Sequence, residues 1–405
     1  MAKISFKITA MTDVGLVRTN NEDNFVAITD LSVPGSTWKS DEICQLGELG
    51  ALLVVADGMG GMNAGEVASE IAISTVKEIF SENITEKVLS SGKSIVAFMN
   101  DAIATADKRI KSEGKKRPET KGMGTTIVIA WLYKGLLYVS WCGDSRAYVY
   151  NAESGLVQIT KDHSYVQELV DKGVIRPDEA FDFPESNVIT RCLSHSSLKA
   201  EPDNIPEPYQ VAAGDIILLC TDGLSGMIRD NAIASIIADN LNSMGNCASA
   251  LIDAAKAAGG TDNITVDLCQ ILTVDNDSPR TKTAKLSDFQ QPNQPEREAE
   301  RHPTPTDGGA AVNMASNSMN NTVFTTKKKK PRKVLIIIYV VILAAAIGAG
   351  AYFGYKYFSG KSTADPIPQT EAASVADISS IVENESAVET ASIDEPTEPL
   401  ETPIQ

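Results

Sequence analysis

The strongest constraint in this chain is a set of short apolar, β-branched runs that each meet an aspartate at one end. ALLVVA (51–56) leads into Asp57, LYVSWCG (137–143) into Asp144 and DIILLCT (215–221) into Asp222, while Asp262 stands just before NITVDLCQI (263–271). Runs this apolar read as strands covered on both faces, since neither face can be left to water. A carboxylate at the mouth of each implies that the acids converge at one edge of packed sheets. Several carboxylates in one place repel one another. A divalent cation is the usual remedy, so the pattern points to a metal site assembled from distant segments. One such aspartate alone would be an ordinary strand-end or turn residue; glycines beside Asp57, Asp144 and Asp222 weigh against that reading.

The residues that are scarce narrow the metal. There are three histidines, at 163, 195 and 302, none spaced as ligands on one element, and six scattered cysteines with no CxxC pair. Zinc sites want imidazole or thiolate, so zinc is disfavoured. Oxygen donors suit hard cations, which points to magnesium or manganese.

Composition divides the 405 residues into four parts. Residues 1–273 have mixed globular character and enough length for a large core. Residues 274–333 turn to Pro, Gln, Asn, Ser and Thr and read as a disordered linker that ends in the basic cluster KKKKPRK (327–333). Val334–Tyr355 then runs uncharged, roughly 33 Å as a helix and enough to span a bilayer; with the flanking aromatics the expected transmembrane helix is 334–358. The basic cluster should stay cytoplasmic. MAKISFKITAMTD at the N-terminus has no apolar core of signal-peptide type. The expectation is therefore a single-pass cell-membrane protein with a cytoplasmic globular domain and an extracytoplasmic tail, 359–405. From 361 onward that tail carries ten acids against one lysine and reads as disordered. The net charge of −17 leaves the first 273 residues strongly acidic, which argues against a nucleic-acid surface.

Within the globular part, ISFKITAMT, NFVAIT, ALLVVA, TTIVIAWLY, LLYVSWC, RAYVYN, DIILLC and ITVDLCQIL read as strands. Lys134-Gly135 reads as a hairpin turn. Helical periodicity covers AGEVASEIAISTVKEIF and SIVAFMNDAIATADKRIKSEG, the second expected to stop at Gly114, and later NAIASIIADNLN and CASALIDAAKAAG. Hairpin-linked strands with helices grouped between them imply an α+β sandwich rather than a doubly wound sheet. Residues 162–194 begin as a short helix and become a long loop with Pro177 and Pro184, a kind of insertion that is more often functional than decorative.

The densest motif is VVADGMGGMNAGE (54–66), in which glycines let the backbone approach a ligand before a helix begins. A dinucleotide loop would need Gly at 63, where Asn63 stands. GLVRTNNEDNF (15–25) places Arg18, a residue suited to bidentate grip on phosphate, near Glu22 and Asp23. There is no P-loop, no GxSxG elbow and no cysteine followed by arginine six residues later.

RTNNED, DGMGGMNAGE, MGTT (123–126), GDSR (143–146), TDGL (221–224) and GGTDNIT (259–265) follow the order found in the protein phosphatase 2C family, and the chain resembles its bacterial members over residues 4–273. The resemblance implies a four-layer α-β-β-α sandwich with a binuclear metal centre at one end and Mn²⁺ or Mg²⁺, two or three per domain. It implies that Asp57 bridges two metals, that the Gly58 carbonyl, Asp222, Asp262 and Glu22 complete the pair, and that Asp144 with Asp222 holds a third. Arg18 is the implied phosphate ligand, Asp23 the residue that orients a metal-bound water, and Asn263 a supporting residue. The implied reaction is in-line attack of an activated water on phosphoserine or phosphothreonine. Implied partners are phosphorylated cytoplasmic proteins, among them a membrane Ser/Thr kinase. An inactive phosphoprotein sensor and a phosphatase acting on an anti-sigma-factor antagonist are the alternatives. Two positions depart from the family pattern: Met59 stands where many relatives have a histidine proposed as general acid, and Phe183-Pro184 where bacterial relatives commonly have His-Pro.

Overall fold

The computed structural model describes residues 3–60, 64–194, 198–275 and 283–289. In chain order the strands are β1 (Ile4–Asp13), β2 (Asn24–Ile28), β3 (Cys44–Gln45), β4 (Ala51–Ala56), β5 (Gly58–Met59), β6 (Gly124–Thr125), β7 (Ile127–Tyr133), β8 (Leu136–Cys142), β9 (Arg146–Asn151) and β10 (Gly155–Gln158). They continue with β11 (Leu193–Ser194), β12 (Asp203–Asn204), β13 (Tyr209–Gln210), β14 (Ile216–Cys220) and β15 (Ile264–Val274). The helices are α1 (Ala64–Glu82), α2 (Gly92–Lys116), α3 (Tyr165–Asp171), α4 (Asp222–Ser225), α5 (Asp230–Asp239) and α6 (Met244–Ala257).

Two antiparallel sheets face each other. One runs β10-β9-β14-β15-β1-β3; the other runs β12-β8-β7-β4-β2, with β13 also on β8. Period-two alternation explains why the strands read as continuous apolar runs. In β4, Ala51, Leu53 and Val55 point into the inter-sheet core while Leu52, Val54 and Ala56 point outward under helices. Ala68, Ala72, Val76 and Phe80 of α1, four residues apart, and Met99, Ile103, Ala106 and Ile110 of α2 cover that outer face. On the far side, Ile233 and Ile237 of α5 and Leu251 and Ala255 of α6 pack on Leu218, Val266 and Leu268. The result is helix on sheet on sheet on helix, an α+β sandwich as expected.

Two boundaries differ from the sequence expectation. α2 does not stop at Gly114, which is buried inside it; it ends at Arg117, held out of the helical region (φ −120°, ψ 95°) ahead of Pro118. The linker expected over 274–333 is not loose where it is described, at 283–289. There the Ala284 N–H donates to the Pro208 carbonyl at 3.0 Å, and Leu286 is buried in the inter-sheet core with Phe289 packed at its edge. The ordered domain therefore runs past 273. No helix among the described residues is long and apolar enough to cross a membrane. The expected transmembrane segment, 334–358, and the tail lie outside the described residues.

One core residue sits uneasily. Asp267 shares the inter-sheet face of β15 with Cys269 and Ile271, is fully buried, and has no hydrogen-bond partner on either carboxylate oxygen. Burial pushes its carboxyl well above the usual carboxylate range. A carboxyl raised in this way costs the fold nothing extra below the unfolded value of about 3.9, where both states are protonated, and destabilises it increasingly as pH rises above that value. Asp267→Val is expected to stabilise the protein at pH 7 by on the order of 1–3 kcal/mol, with the gain shrinking towards pH 4, as measured by thermal or urea unfolding. A variant less stable than the parent at pH 7 would contradict this.

Candidate metal centre

Strand pairing gathers the aspartates before any side chain is considered. Asn24 pairs with Ala56, Val55 with Val128 and Ile127 with Cys142 in one sheet; Arg146 pairs with Cys220, Cys220 with Val266 and Asp13 with Ile264 in the other. The residues just beyond these ends are Asp23, Asp57, Asp144, Asp222 and Asp262, all at one edge of the sandwich.

Backbone and hydroxyl contacts then hold each one. The Asp57 N–H donates to Thr126 Oγ1 at 3.0 Å, and the Asp57 carbonyl accepts from Thr126 N–H at 2.9 Å and Thr125 Oγ1 at 2.8 Å. Gly58 N–H donates to the Glu22 carbonyl at 3.1 Å, and Ser69 Oγ donates to that carbonyl at 2.7 Å. A side chain at 58 is excluded, because a Cβ there would strike the carbonyl oxygens of Gly65 and Glu22. Asn263 is the splice between segments: its Oδ1 accepts from Glu22 N–H at 2.8 Å, and its Nδ2 donates to the carbonyls of Val14 at 3.0 Å and Asn20 at 2.9 Å. Asp23 Oδ2 accepts from Thr265 Oγ1 at 2.7 Å and Thr221 Oγ1 at 2.9 Å, joining the starts of β2 and β15 to the end of β14.

The electrostatics of this edge are unfavourable for a bare protein. Asp222 is the largest in effect of the charges that act on Asp57. Burial, then the charges of Asp222, Asp23 and Asp144, push Asp57 well above the usual carboxylate range. Burial followed by Asp222 does the same to Asp144, and burial followed by Asp262 raises Asp222. Burial also lifts Asp23 to about 7 and raises Glu22. Asp222 Oδ1 and Asp23 Oδ1 are buried without a hydrogen-bond partner, and such orphaned oxygens call for an explanation.

These residues fit a hard divalent cation. The donors are all oxygen, and two buried oxygens lack partners. Among the described residues no three His, Cys, Asp or Glu side chains already close around one point. Like charges account for this. Asp262, one-third exposed, turns to Arg18, whose Nη2 donates to Asp262 Oδ2 at 2.7 Å. The unpaired oxygens and the mutual repulsion of Asp57 and Asp222 are the stronger indication, because a ligand set tightens on its ion.

The edge opens into a cleft of about 1440 Å³ that Arg18, Asp144, Asp222 and Asp262 share with Val166 and Phe181 from the 162–194 insertion. α3 forms there as expected, capped by Ser164 Oγ accepting from Gln167 N–H at 3.3 Å. Arg229 anchors the insertion, stacking 4.3 Å over the Phe181 ring and pairing with Asp182. Arg146 grips Asp162 through Nε and Nη2, at 3.0 and 2.7 Å. Thr126, Thr221, Thr265 and His163 were not anticipated as supports; the signal for the threonines is a hydroxyl residue beside an otherwise apolar strand end.

Comparison with known proteins places this geometry. The family model described as protein phosphatase 2C matches residues 39–255. The serine/threonine phosphatase stp of Listeria welshimeri is 32% identical over 259 residues, 64% of this chain and 93% of that protein. The serine/threonine protein phosphatase PstP of Mycobacterium tuberculosis is 33% identical over 278 residues, 68% of this chain but 47% of that protein. Its crystal structure at 1.95 Å covers 66% of this chain and 99% of its own, with 32% identity and a TM-score of 0.54. The PstP catalytic domain in complex with two manganese ions has 31% identity and a TM-score of 0.52, again covering 66% of this chain and 99% of its own.

Proposed function

The chain belongs to the protein phosphatase 2C family, and from that premise we propose that it removes phosphate from phosphoserine and phosphothreonine in proteins, using Mn²⁺ or Mg²⁺. The observation that carries this reading is that Asp144, Asp222 and Asp262 line one open cleft together with Arg18, with Asp57 close enough to feel the charges of Asp222 and Asp144. When bound, the cations supply Lewis-acid charge and an acidified water for attack at phosphorus. Asp57, the Gly58 carbonyl, Asp222, Asp262 and Glu22 are the groups assigned to hold the first pair, and Asp144 with Asp222 a third. Asp23 and Asn263 keep those groups in register through the hydrogen bonds described above.

Arg18 has the second role. Its side chain is half exposed, and its partner Asp262 is itself a proposed ligand. With Asp262 holding a cation, the guanidinium would be free to donate two N–H groups to phosphoryl oxygens. A phosphoryl dianion would be repelled by the bare carboxylates, so turnover depends strictly on the cation. Met59 has no proton to give, so the departing alkoxide takes its proton from water in the open cleft. The breadth of that cleft suits a segment of a phosphorylated protein better than a small ester.

We also propose that the domain works at a membrane, opposite a membrane Ser/Thr kinase. Support comes from KKKKPRK followed by the uncharged run Val334–Tyr355.

The protein is expected to hydrolyse p-nitrophenyl phosphate and phosphothreonine peptides with Mn²⁺ and to stop in EDTA. Asp57→Asn should lower kcat by at least about a hundredfold, because each ~1.4 kcal/mol of lost charge stabilisation is a factor of ten. Turnover that survives EDTA, or an Asp57→Asn variant as active as the parent, would sink the metal-dependent reading. For the membrane assignment, protease added outside intact cells should trim the tail beyond 359 and spare the globular domain; an untouched tail would rule that topology out.

A further inference from the structure

Building on the phosphatase reading, we propose that His163 is a positioning residue that holds the Asp144 loop in place for the reaction and fastens the root of the 162–194 insertion to it. His163 is not among the assigned ligands, yet it is buried to 6% exposure beside the cleft, where it meets three segments. Its ring Nδ1 accepts from Gly143 N–H at 3.1 Å, and the His163 backbone N–H donates to the Gly143 carbonyl at 3.0 Å. Its ring stacks on Trp141, with centroids 6.1 Å apart and 21° between planes. Its Nε2 faces Asp203 Oδ2 at 3.1 Å; Arg191 Nη1 lies 3.3 Å from the same nitrogen and donates to Asp203 Oδ1 at 3.1 Å, so the carboxylate takes both N–H groups.

These contacts define the tautomer. A backbone N–H can only donate, so Nδ1 must present its lone pair to Gly143, and the ring proton sits on Nε2 facing Asp203. A carboxylate behind an imidazole in this way fixes both tautomer and ring orientation. Asp203 therefore acts on Gly143 through the ring.

Gly143 has no freedom on its other side. At φ +119° it occupies a conformation that side chains rarely adopt, and a Cβ there would press on Thr126 at 2.6 Å. Thr126 Oγ1 bonds Ser145 Oγ at 2.6 Å and accepts the Asp57 N–H. Gly143, Asp144 and Ser145 are thus clamped between Thr126, which they share with Asp57, and His163. Asp144 needs such a clamp, because it is held against the like charges of Asp222 and Asp162.

The same residue closes the root of the insertion. The His163 carbonyl accepts from Thr190 N–H at 2.7 Å, and Ser164 bridges to Ile189. His163 thereby connects, through its backbone, the place where the insertion leaves the sandwich and, through its ring, the loop where a proposed ligand is presented.

The test uses the full chain with three substitutions. His163→Phe keeps the stack on Trp141 but removes the acceptor; His163→Asn returns an oxygen near the Nδ1 position; His163→Gln places its amide near Nε2 instead. Steady-state kinetics on p-nitrophenyl phosphate give kcat and KM, and electron paramagnetic resonance of free Mn²⁺ gives occupancy independently of turnover. His163→Phe should lose about tenfold or more in kcat and in affinity for its weakest Mn²⁺, with KM changed by less than about threefold. His163→Asn should recover most of that loss and His163→Gln should not. Wild-type-like kinetics and Mn²⁺ binding in His163→Phe would overturn the proposal. Should the Phe variant fail to fold, the Asn and Gln variants decide alone: Asn well above Gln supports the clamp, and equal values overturn it. A parent enzyme with no phosphatase activity would refute the functional reading itself, whereas an active parent with indifferent variants would refute only the role of His163.

Discussion

Buried carboxylates that cannot move apart are the constraint on which the rest of this molecule depends. Asp222, Asp23 and Asp144 all stand close enough to raise the pKa of Asp57. Left to itself such a group would splay into solvent or take up protons. It cannot splay freely, because each acid grows out of a strand end whose register is set by the sandwich core, and because a second layer of neutral donors restrains the backbone around it. Thr126 serves Asp57, Thr221 and Thr265 serve Asp23, and Asn263 ties Glu22 to the loop after β1. The apolar core provides the free energy that keeps the acids together, and the oxygens left without partners are what the protein has available for a cation.

This division of labour explains how the cleft relates to the edge. Arg18 and Asp262 form the exposed end of the carboxylate group, and Arg146 and Asp162 join its buried side to the 162–194 insertion. The insertion is therefore more than a cover. Arg229 holds its tip through Phe181 and Asp182, while His163 holds its root. Both contacts are made by residues that donate nothing to the proposed cations, so substrate access and ligand geometry share supports without sharing atoms.

Much of the fold was legible because the strands are covered on both faces. That burial makes β4, β7, β8 and β14 nearly free of polar residues, and the ends of β4, β8 and β14 are then marked by the first acid. The Lys134-Gly135 turn was equally plain, with Tyr133 paired to Leu136 across it. Less legible were the supports. A threonine beside an apolar strand end looks the same whether it faces solvent or an aspartate, and Thr265 is joined to Asp23 only by folding. His163 gave no signal because its partners, Gly143 and Asp203, are separated from it in sequence and meet it only through β8 and β12. The docked segment at 283–289 was hidden by its composition: Leu286 and Phe289 are isolated apolar residues in polar text, and only the groove they fill makes them core. Asp267 was passed over as one polar letter in a strand, where alternation alone puts it on the inner face.

The central claim is that this carboxylate edge exists to hold divalent cations rather than to stabilise the fold. Calorimetric titration of Mn²⁺ into the full chain and into its Asp57→Asn variant at neutral pH tests it most directly. At least two ions should bind the parent, and the variant, folded to the same degree by circular dichroism, should lose tight binding. A parent that takes up no Mn²⁺, or a variant that binds as the parent does, would contradict the account.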